Sequence, residues 1–174
     1  PLCESSAAIV APWDKGVVLV ADNEVRRDIF AFQWDGTGRL KDQSRLEMPD
    51  GERPRDIEAM VAYQGDLIVF GSHSANSACK TKRKRRRIRQ LRWDAGTERL
   101  TAVRSLDSHK TLKSALESEE QCISELFPRP APAGAGQVCA AFIKAQKAAS
   151  AQRCETINIE GAAVLDERIW LGLR

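Results

Sequence analysis

The chain has 174 residues, of which 43% are hydrophobic and 29% are charged, a composition that is typical of a folded domain and excludes a disordered tail. No stretch approaches the roughly 18 consecutive apolar residues of a membrane-spanning helix, and the five cysteines lack the spacing of a zinc finger. The formal net charge is only +3, but one basic cluster without acids extends over residues 80–92.

The first structural unit spans about residues 3–50. It begins at Glu4 with a strand, turns into a second, apolar strand and reaches the polar loop Asp22-Asn23-Glu24. A third strand ends in Trp34-Asp35, and the glycine-containing turn that follows predicts a fourth strand. We therefore expect four short strands in succession.

The second unit spans about residues 57–108 and repeats the first. Residues 88–100 match residues 29–40, with a Trp-Asp turn in both copies. Before this match, residues 58–71 form a hairpin pattern that begins with Glu58. Self-similarity of this kind is the sequence signature of a repeat protein.

A third unit begins at about residue 157 and continues to residue 174, because residues 160–172 repeat the hairpin pattern. Between the second and third units, residues 109–156 combine helical spacing of apolar residues with an alanine-rich stretch, which predicts a helical insertion. The chain starts at Pro1 without an initiator methionine and stops directly after strand-like residues, so we expect a piece of a longer protein. The sequence leaves open whether that protein is cytoplasmic or exported.

Four-stranded units of about 40–50 residues are typical of the blades of a β-propeller. The predicted fold is all-β: a single incomplete propeller domain over residues 1–174, with two blades and the start of a third. Four aromatic residues of the strands are expected to pack in the blade core, namely Trp34, Phe70, Trp93 and Trp170. Two blades and a fraction cannot close a ring, so we expect self-association if the chain exists alone.

The polar residues of the units are expected to collect at one end of the sheets. In a four-stranded antiparallel blade, the link into the first strand and the link between the second and third strands emerge at the same end. This connectivity predicts an axial polar face that binds a small or anionic ligand. Its predicted ligand-binding residues are Glu4, Asp22, Glu24, Asp56, Ser72, Asn158 and Arg174.

Three successive units each contribute a glutamate to this face, namely Glu4, Glu58 and Glu160. Such carboxylates suit a divalent metal ion such as calcium, and Glu58 and Glu160 also suit acid–base catalysis together with His73. The alternative for the glutamates is structural, since an acid at a strand start can accept backbone hydrogen bonds and fix the packing of neighbouring blades. For His73, the alternative is a hydrogen-bonding residue at the mouth of its loop.

The basic cluster emerges at the same end and contains the predicted anion-binding residues, which are Lys82, Arg83, Lys84, Arg85, Arg86 and Arg87. Its charge suits electrostatic capture of an anion such as a phosphorylated small molecule. A nucleic acid fits less well, because no aromatic residue is interleaved for base stacking. The structural alternative is a solvated, extended hairpin.

Six segments of the chain resemble, in order and spacing, the signature of a bacterial family known only as a domain of unknown function (number 3616). They are Cys3-Glu4-Ser5-Ser6-Ala7-Ala8, Val20-Ala21-Asp22-Asn23-Glu24, Asp56-Ile57-Glu58, Gly71-Ser72-His73-Ser74, Asn158-Ile159-Glu160-Gly161 and Leu171-Gly172-Leu173-Arg174. The resemblance implies the N-terminal portion of a bacterial propeller-like protein, without an established activity. Ala59 departs from the pattern, which has glycine there, and the basic segment after Ser74 is longer than expected.

The family is similar in outline to phytase and lactonase propellers, which bind calcium or another divalent metal with acidic residues around the axis. Three functions are therefore predicted in order of preference. The first is binding of a small or anionic ligand. The second is metal-dependent hydrolysis of a phosphoester or lactone, with the glutamates holding the ion, His73 moving a proton and Arg174 or the basic loop binding the anionic group. The third is nucleic-acid binding through the basic loop alone.

Overall fold

The computed structural model describes residues 5–22, 28–49, 51, 53–75, 80, 82–106 and 158–173. These residues form ten β-strands and one short 3-10 helix. The strands are β1 (Ser5–Ala11), β2 (Asp14–Asp22), β3 (Asp28–Trp34), β4 (Leu40–Glu47), β5 (Ile57–Tyr63), β6 (Asp66–Gly71), β7 (Ile88–Asp94), β8 (Arg99–Leu106), β9 (Ile159–Leu165) and β10 (Arg168–Leu173), and the 3-10 helix is Arg83–Arg86.

The strands form three antiparallel sheets in chain order. Sheet one is β1-β2-β3-β4, sheet two is β5-β6-β7-β8, and sheet three is the pair β9 and β10. The predicted all-β class and the four-stranded antiparallel sheets are confirmed. The helical insertion predicted at 109–156 lies outside the described residues. Within the described ranges, no helix is long and apolar enough to cross a membrane.

The two Trp-Asp turns have the same local cause. Asp35 Oδ1 accepts a hydrogen bond from the backbone N–H of Thr37, and Asp94 Oδ1 accepts one from the N–H of Gly96, both at 2.9 Å. An aspartate that bonds its own backbone two residues further on stabilises a turn, so each aspartate ends one strand and allows the next to begin. The hydrogen bonds from Thr37, with a smaller contribution from Lys41, lower the pKa of Asp35 to about 2.

Sheet two is covered on both faces. One face packs against sheet one through a cluster that includes Met60, Leu67, Val69, Leu91, Leu19 and Ile29. The other face packs against sheet three through a cluster that includes Val61, Ile68, Phe70, Ile88, Ile159 and Ile169. Successive residues of β6 alternate between the two clusters, because neighbouring side chains of a strand point to opposite faces. The apolar run of β6 is therefore entirely buried.

The first strands of the three sheets lie beside one another in chain order, with β1 against β5 and β5 against β9. Two hydrogen bonds join the sheets at this point. Ser6 Oγ donates to the carbonyl oxygen of Ile57, and the N–H of Ile159 donates to the carbonyl oxygen of Ser72 at 2.8 Å. Sheets one, two and three thus follow one another in space as they do in sequence.

The strand aromatics do not all enter this core. Phe70 is fully buried, as expected, and Trp93 is half-buried and stacks on Trp13 of sheet one with ring centroids 5.2 Å apart. The prediction that Trp34 and Trp170 are buried is wrong, because they are 44% and 47% exposed. Both lie on the faces of sheets one and three that point away from sheet two, where no described sheet packs on them.

Candidate functional site

One end of the sheets gathers the polar residues that the sequence singled out. Ile57 pairs with Gly71 and Ile159 pairs with Leu173, so the start of each first strand lies beside the end of the second strand, as it does between β1 and β2. We call this edge the polar end. The described residues predicted there are Asp22, Asp56, Glu58, Ser72, His73, Asn158 and Glu160, whereas Glu4, Glu24 and Arg174 lie outside the described residues.

The basic segment that contains the 3-10 helix is fixed to the polar end by its backbone. Its carbonyl groups accept hydrogen bonds from the link before β5 and from the end of β6, on either side of it. Three such bonds, each 2.9 Å long, run from the N–H of Arg55 to Lys84 O, from the N–H of His73 to Arg85 O, and from the N–H of Gly71 to Arg87 O. Residues 82–87 therefore form a short turn whose backbone is hydrogen-bonded to the segments on both sides of it.

Gly71 permits this close approach. A Cβ atom built on Gly71 would overlap the carbonyl oxygen of Arg85 and lie 2.9 Å from the carbonyl carbon of the same residue. It would also lie 3.2 Å from the carbonyl oxygen of Arg55. Only glycine allows the turn and the end of β6 to lie this close together.

A polar side-chain network holds the same turn in place. Arg85 Nη1 lies 3.1 Å from Asp56 Oδ2 and donates to Ser74 Oγ at 2.8 Å. The hydroxyls of Ser74 and Ser72 are hydrogen-bonded to each other at 2.8 Å, and Ser74 Oγ also donates to Asp56 Oδ2 at 3.4 Å. The network is only partly exposed, so water screens its charges incompletely.

Two residues of the polar end have a backbone conformation that side chains disfavour. Asp56 has φ 60° and His73 has φ 57°. Both sit where a strand meets a link, and the backbone bond from the N–H of Ser72 to Asp56 O, 2.8 Å long, lies between them. Residues held in sparsely populated conformations cluster at functional sites, where the surrounding contacts enforce them.

The predicted residues of the polar end differ in their exposure. Asp22, Ser72 and His73 are buried, and the imidazole of His73 is completely enclosed. Glu58 is half-buried, whereas Glu160 is exposed and accepts a hydrogen bond from Asn158 Nδ2. A ligand at the surface therefore does not contact His73 unless the surrounding segments move. The predicted catalytic roles of His73, Glu58 and Glu160 remain predictions.

The predicted metal centre needs Glu4, Glu58 and Glu160 together. In the part of the chain that the structure describes, no three histidine, cysteine, aspartate or glutamate side chains are grouped so that they could hold a metal ion. Glu4 lies outside that part, so the complete set of three glutamates is not tested. The described residues do not provide the cluster of oxygen ligands that calcium requires.

The basic side chains divide into two groups. Arg85 bonds Asp56 and Ser74, and Arg87 Nη1 donates to the carbonyl oxygens of Gly51 and Arg53, so both arginines stabilise the turn. The other group is exposed to solvent. It consists of Lys82, Arg83 and Lys84, while Arg86 is half-buried.

Sequence reasoning missed a polar cluster at the opposite end of sheet two. The buried carboxylate of Asp66 accepts two hydrogen bonds from Arg92, at 2.8 and 3.0 Å, and one from Gln90 at 2.7 Å. Burial acts to raise the pKa of Asp66, but the hydrogen bonds and the charge of Arg92 outweigh it and lower the pKa. The available signal was the position of Asp66 at the start of a strand that is otherwise apolar, where a buried acid must find hydrogen-bond partners.

The bridging roles of Ser6 and Ser74 were also missed. Ser6 joins sheets one and two, and Ser74 links Arg85 to Asp56. In the sequence, each of these serines lies near the end of a strand. Many serines do, so this position alone does not identify a bridging residue.

Three comparisons with known proteins found no match for the chain. No protein-family model matches the chain, no curated protein matches it, and no solved structure matches it. The resemblance to the bacterial domain of unknown function is therefore not tested by these comparisons.

Proposed function

We propose that the chain is a ligand-binding protein built from successive β-propeller blades, and that its polar end binds a small phosphate-bearing anion. In this proposal sheets one, two and three are the blades, and β1, β5 and β9 are the strands nearest the axis. Support comes from the chain order of the sheets, from the packing of sheet two on both neighbours, and from the contacts between first strands. Neighbouring propeller blades need these three features.

One observation carries the proposal of anion binding. The exposed side chains of Lys82, Arg83 and Lys84 project from a turn whose backbone is hydrogen-bonded to segments on both sides. A basic segment that is already ordered loses less conformational entropy on binding than a mobile one. Three cations on a fixed turn therefore favour a compact anion with several charges.

The arginines and lysines differ in what they offer to such an anion. Lysine binds phosphate as a point charge, whereas the guanidinium of Arg83 can donate two parallel hydrogen bonds to phosphate oxygens. Arg85 is held by Asp56 and Ser74, so its role in the proposal is to position the turn.

Isothermal titration calorimetry with pyrophosphate at constant ionic strength tests this proposal. The variant Lys82→Gln/Arg83→Gln/Lys84→Gln removes the three exposed charges and leaves the backbone bonds of the turn in place. The matched control is Lys15→Gln/Arg39→Gln/Arg99→Gln, which removes three exposed charges at the turns of the opposite end. Both variants have the same net charge, so a nonspecific effect of charge lowers the affinity of both equally.

We expect the first variant to bind pyrophosphate at least about tenfold more weakly than the wild type, which is about 1.4 kcal/mol, and the control to bind like the wild type. Equal weakening of both variants, or no binding by the wild type, contradicts the proposal.

A further inference from the structure

Sheets one and three each have an outer face that points away from sheet two. Trp34 and Val10 lie on the outer face of sheet one and are 44% and 42% exposed. Trp170 lies on the outer face of sheet three and is 47% exposed. Single exposed apolar residues are common, but the two tryptophans occupy positions that are covered in sheet two.

Trp34 occupies the same place in sheet one as Trp93 in sheet two. Each tryptophan pairs with the first leucine of the following strand, Trp34 with Leu40 and Trp93 with Leu100. Trp93 faces the preceding sheet and stacks on Trp13, which lies in the β1–β2 turn, with an angle of 9° between the ring planes. Sheet two uses the face that carries Trp93 to pack on sheet one. The outer face of sheet one, which carries Trp34, is the equivalent face.

Trp170 occupies the same place in sheet three as Ile68 in sheet two. Trp170 pairs with Ala163 of β9, and Ile68 pairs with Val61 of β5, at the same distance from the turn between the two strands. Ile68 is fully buried in the cluster that joins sheet two to sheet three. Sheet two uses the face that carries Ile68 to pack on sheet three. The outer face of sheet three, which carries Trp170, is the equivalent face.

We propose that these two outer faces bind each other between two copies of the chain. Sheet three of one copy packs on sheet one of the next copy. This contact has the same face-to-face arrangement as the contacts inside the chain, where sheet two packs on sheet one and on sheet three. The two faces are different surfaces, so the contact is head-to-tail and leaves one face of each kind open in a dimer.

The interface is small and weak. Sheet three has two described strands against the four of sheet one, so the contact lacks the area of the four-stranded packing inside the chain. Contacts that bury less than a standard interface are transient. The self-association therefore depends on protein concentration and is reversible on dilution.

Sedimentation velocity over a dilution series tests the contact with three single variants. Trp34→Glu places a charge on the outer face of sheet one, and Trp170→Glu places one on the outer face of sheet three. Val103→Glu is the matched control, because Val103 is 45% exposed on β8 of sheet two and therefore lies on neither of the two outer faces. Both tryptophans are exposed, so we expect the variants to keep the thermal melting curve of the wild type.

The head-to-tail contact predicts a specific pattern. The wild type and Val103→Glu associate as the concentration rises, and each tryptophan variant alone stays monomeric. A mixture of Trp34→Glu and Trp170→Glu forms a dimer of one copy of each and grows no further, because one copy keeps an intact sheet three and the other an intact sheet one.

Three results contradict the proposal. The wild type stays a monomer at every concentration, or one tryptophan variant associates alone as a symmetric contact would allow, or the mixture of the two variants fails to form a dimer.

Discussion

At the scale of single residues, the close contact between Gly71 and Arg85 is the tightest constraint on the polar end. We predict that Gly71→Ala destabilises the chain by about 1–3 kcal/mol, the usual cost of forcing an atom into a packed site. The added Cβ overlaps the carbonyl oxygen of Arg85, so the basic turn must move away. Chemical denaturation monitored by circular dichroism measures the loss.

Gly161→Ala is the control for this prediction. Gly161 lies in a strand as Gly71 does, but a Cβ atom there meets no other atom within 4 Å. Loss of chain entropy in the unfolded state makes a tolerated glycine-to-alanine change neutral or slightly stabilising. Equal destabilisation by both substitutions would show that the close contact with Arg85 is not the cause.

The carboxylate of Asp66 gives a prediction about pH. Its pKa is lowered in the folded protein, so its ionised form stabilises the fold above its unfolded pKa, and this contribution is lost as pH falls through the lower, folded value. Asp66→Asn should therefore cost about 1–3 kcal/mol near pH 7, and much less in acid below the ordinary carboxyl range. Denaturant unfolding at a series of pH values measures this difference.

Asp14→Asn is the matched control, because asparagine can still accept the hydrogen bond that Asp14 receives from Gly16 N–H, at 2.8 Å. We expect little change at any pH. If Asp66→Asn has the same small cost at pH 7 and in acid, the carboxylate does not act through its charge.

At the scale of elements, the stacked pair Trp13 and Trp93 fixes the β1–β2 turn to β7. A double-mutant cycle with Trp13→Ala and Trp93→Ala should give a coupling free energy of about 0.5–1.5 kcal/mol, since the near-parallel rings are stacked with an offset, their centroids 5.2 Å apart. The control cycle pairs Trp13→Ala with Trp34→Ala. Trp34 lies on the other face of sheet one, so the stability changes of these two substitutions should be additive. Coupling of equal size in the two cycles would show that the stack does not join sheets one and two.

The strands of each sheet were predictable from the sequence because their causes are local. The Trp-Asp turns, for example, result from aspartates that bond their own backbone at Thr37 and Gly96. The exposure of Trp34 and Trp170 was not predictable in the same way. Whether a face is covered depends on which sheet lies beside it, and the repeat pattern that equates Trp34 with Trp93 contains no information about its neighbour.

At the scale of the whole molecule, strand connectivity predicted which end of the sheets carries Asp56, Ser72 and Asn158, because an antiparallel hairpin returns its chain to the edge where it began. It did not predict the contacts among them. The pairing of Arg85 with Asp56 and Ser74 depends on the path of the basic turn over Gly71, and that path is fixed by backbone hydrogen bonds between segments distant in sequence.

A titration of the isotope-labelled protein with pyrophosphate, followed by the backbone amide signals in nuclear magnetic resonance, tests anion binding at the polar end most directly. Anion binding at the basic turn predicts saturable shifts of the amides of residues 82–86, with smaller shifts at Asp56 and at residues 72–74, because the turn is hydrogen-bonded to those segments. Amides near Lys15 and Arg39 at the opposite end should not move. Shifts of equal size at both ends, or shifts that do not saturate, would contradict specific binding of the anion at the polar end.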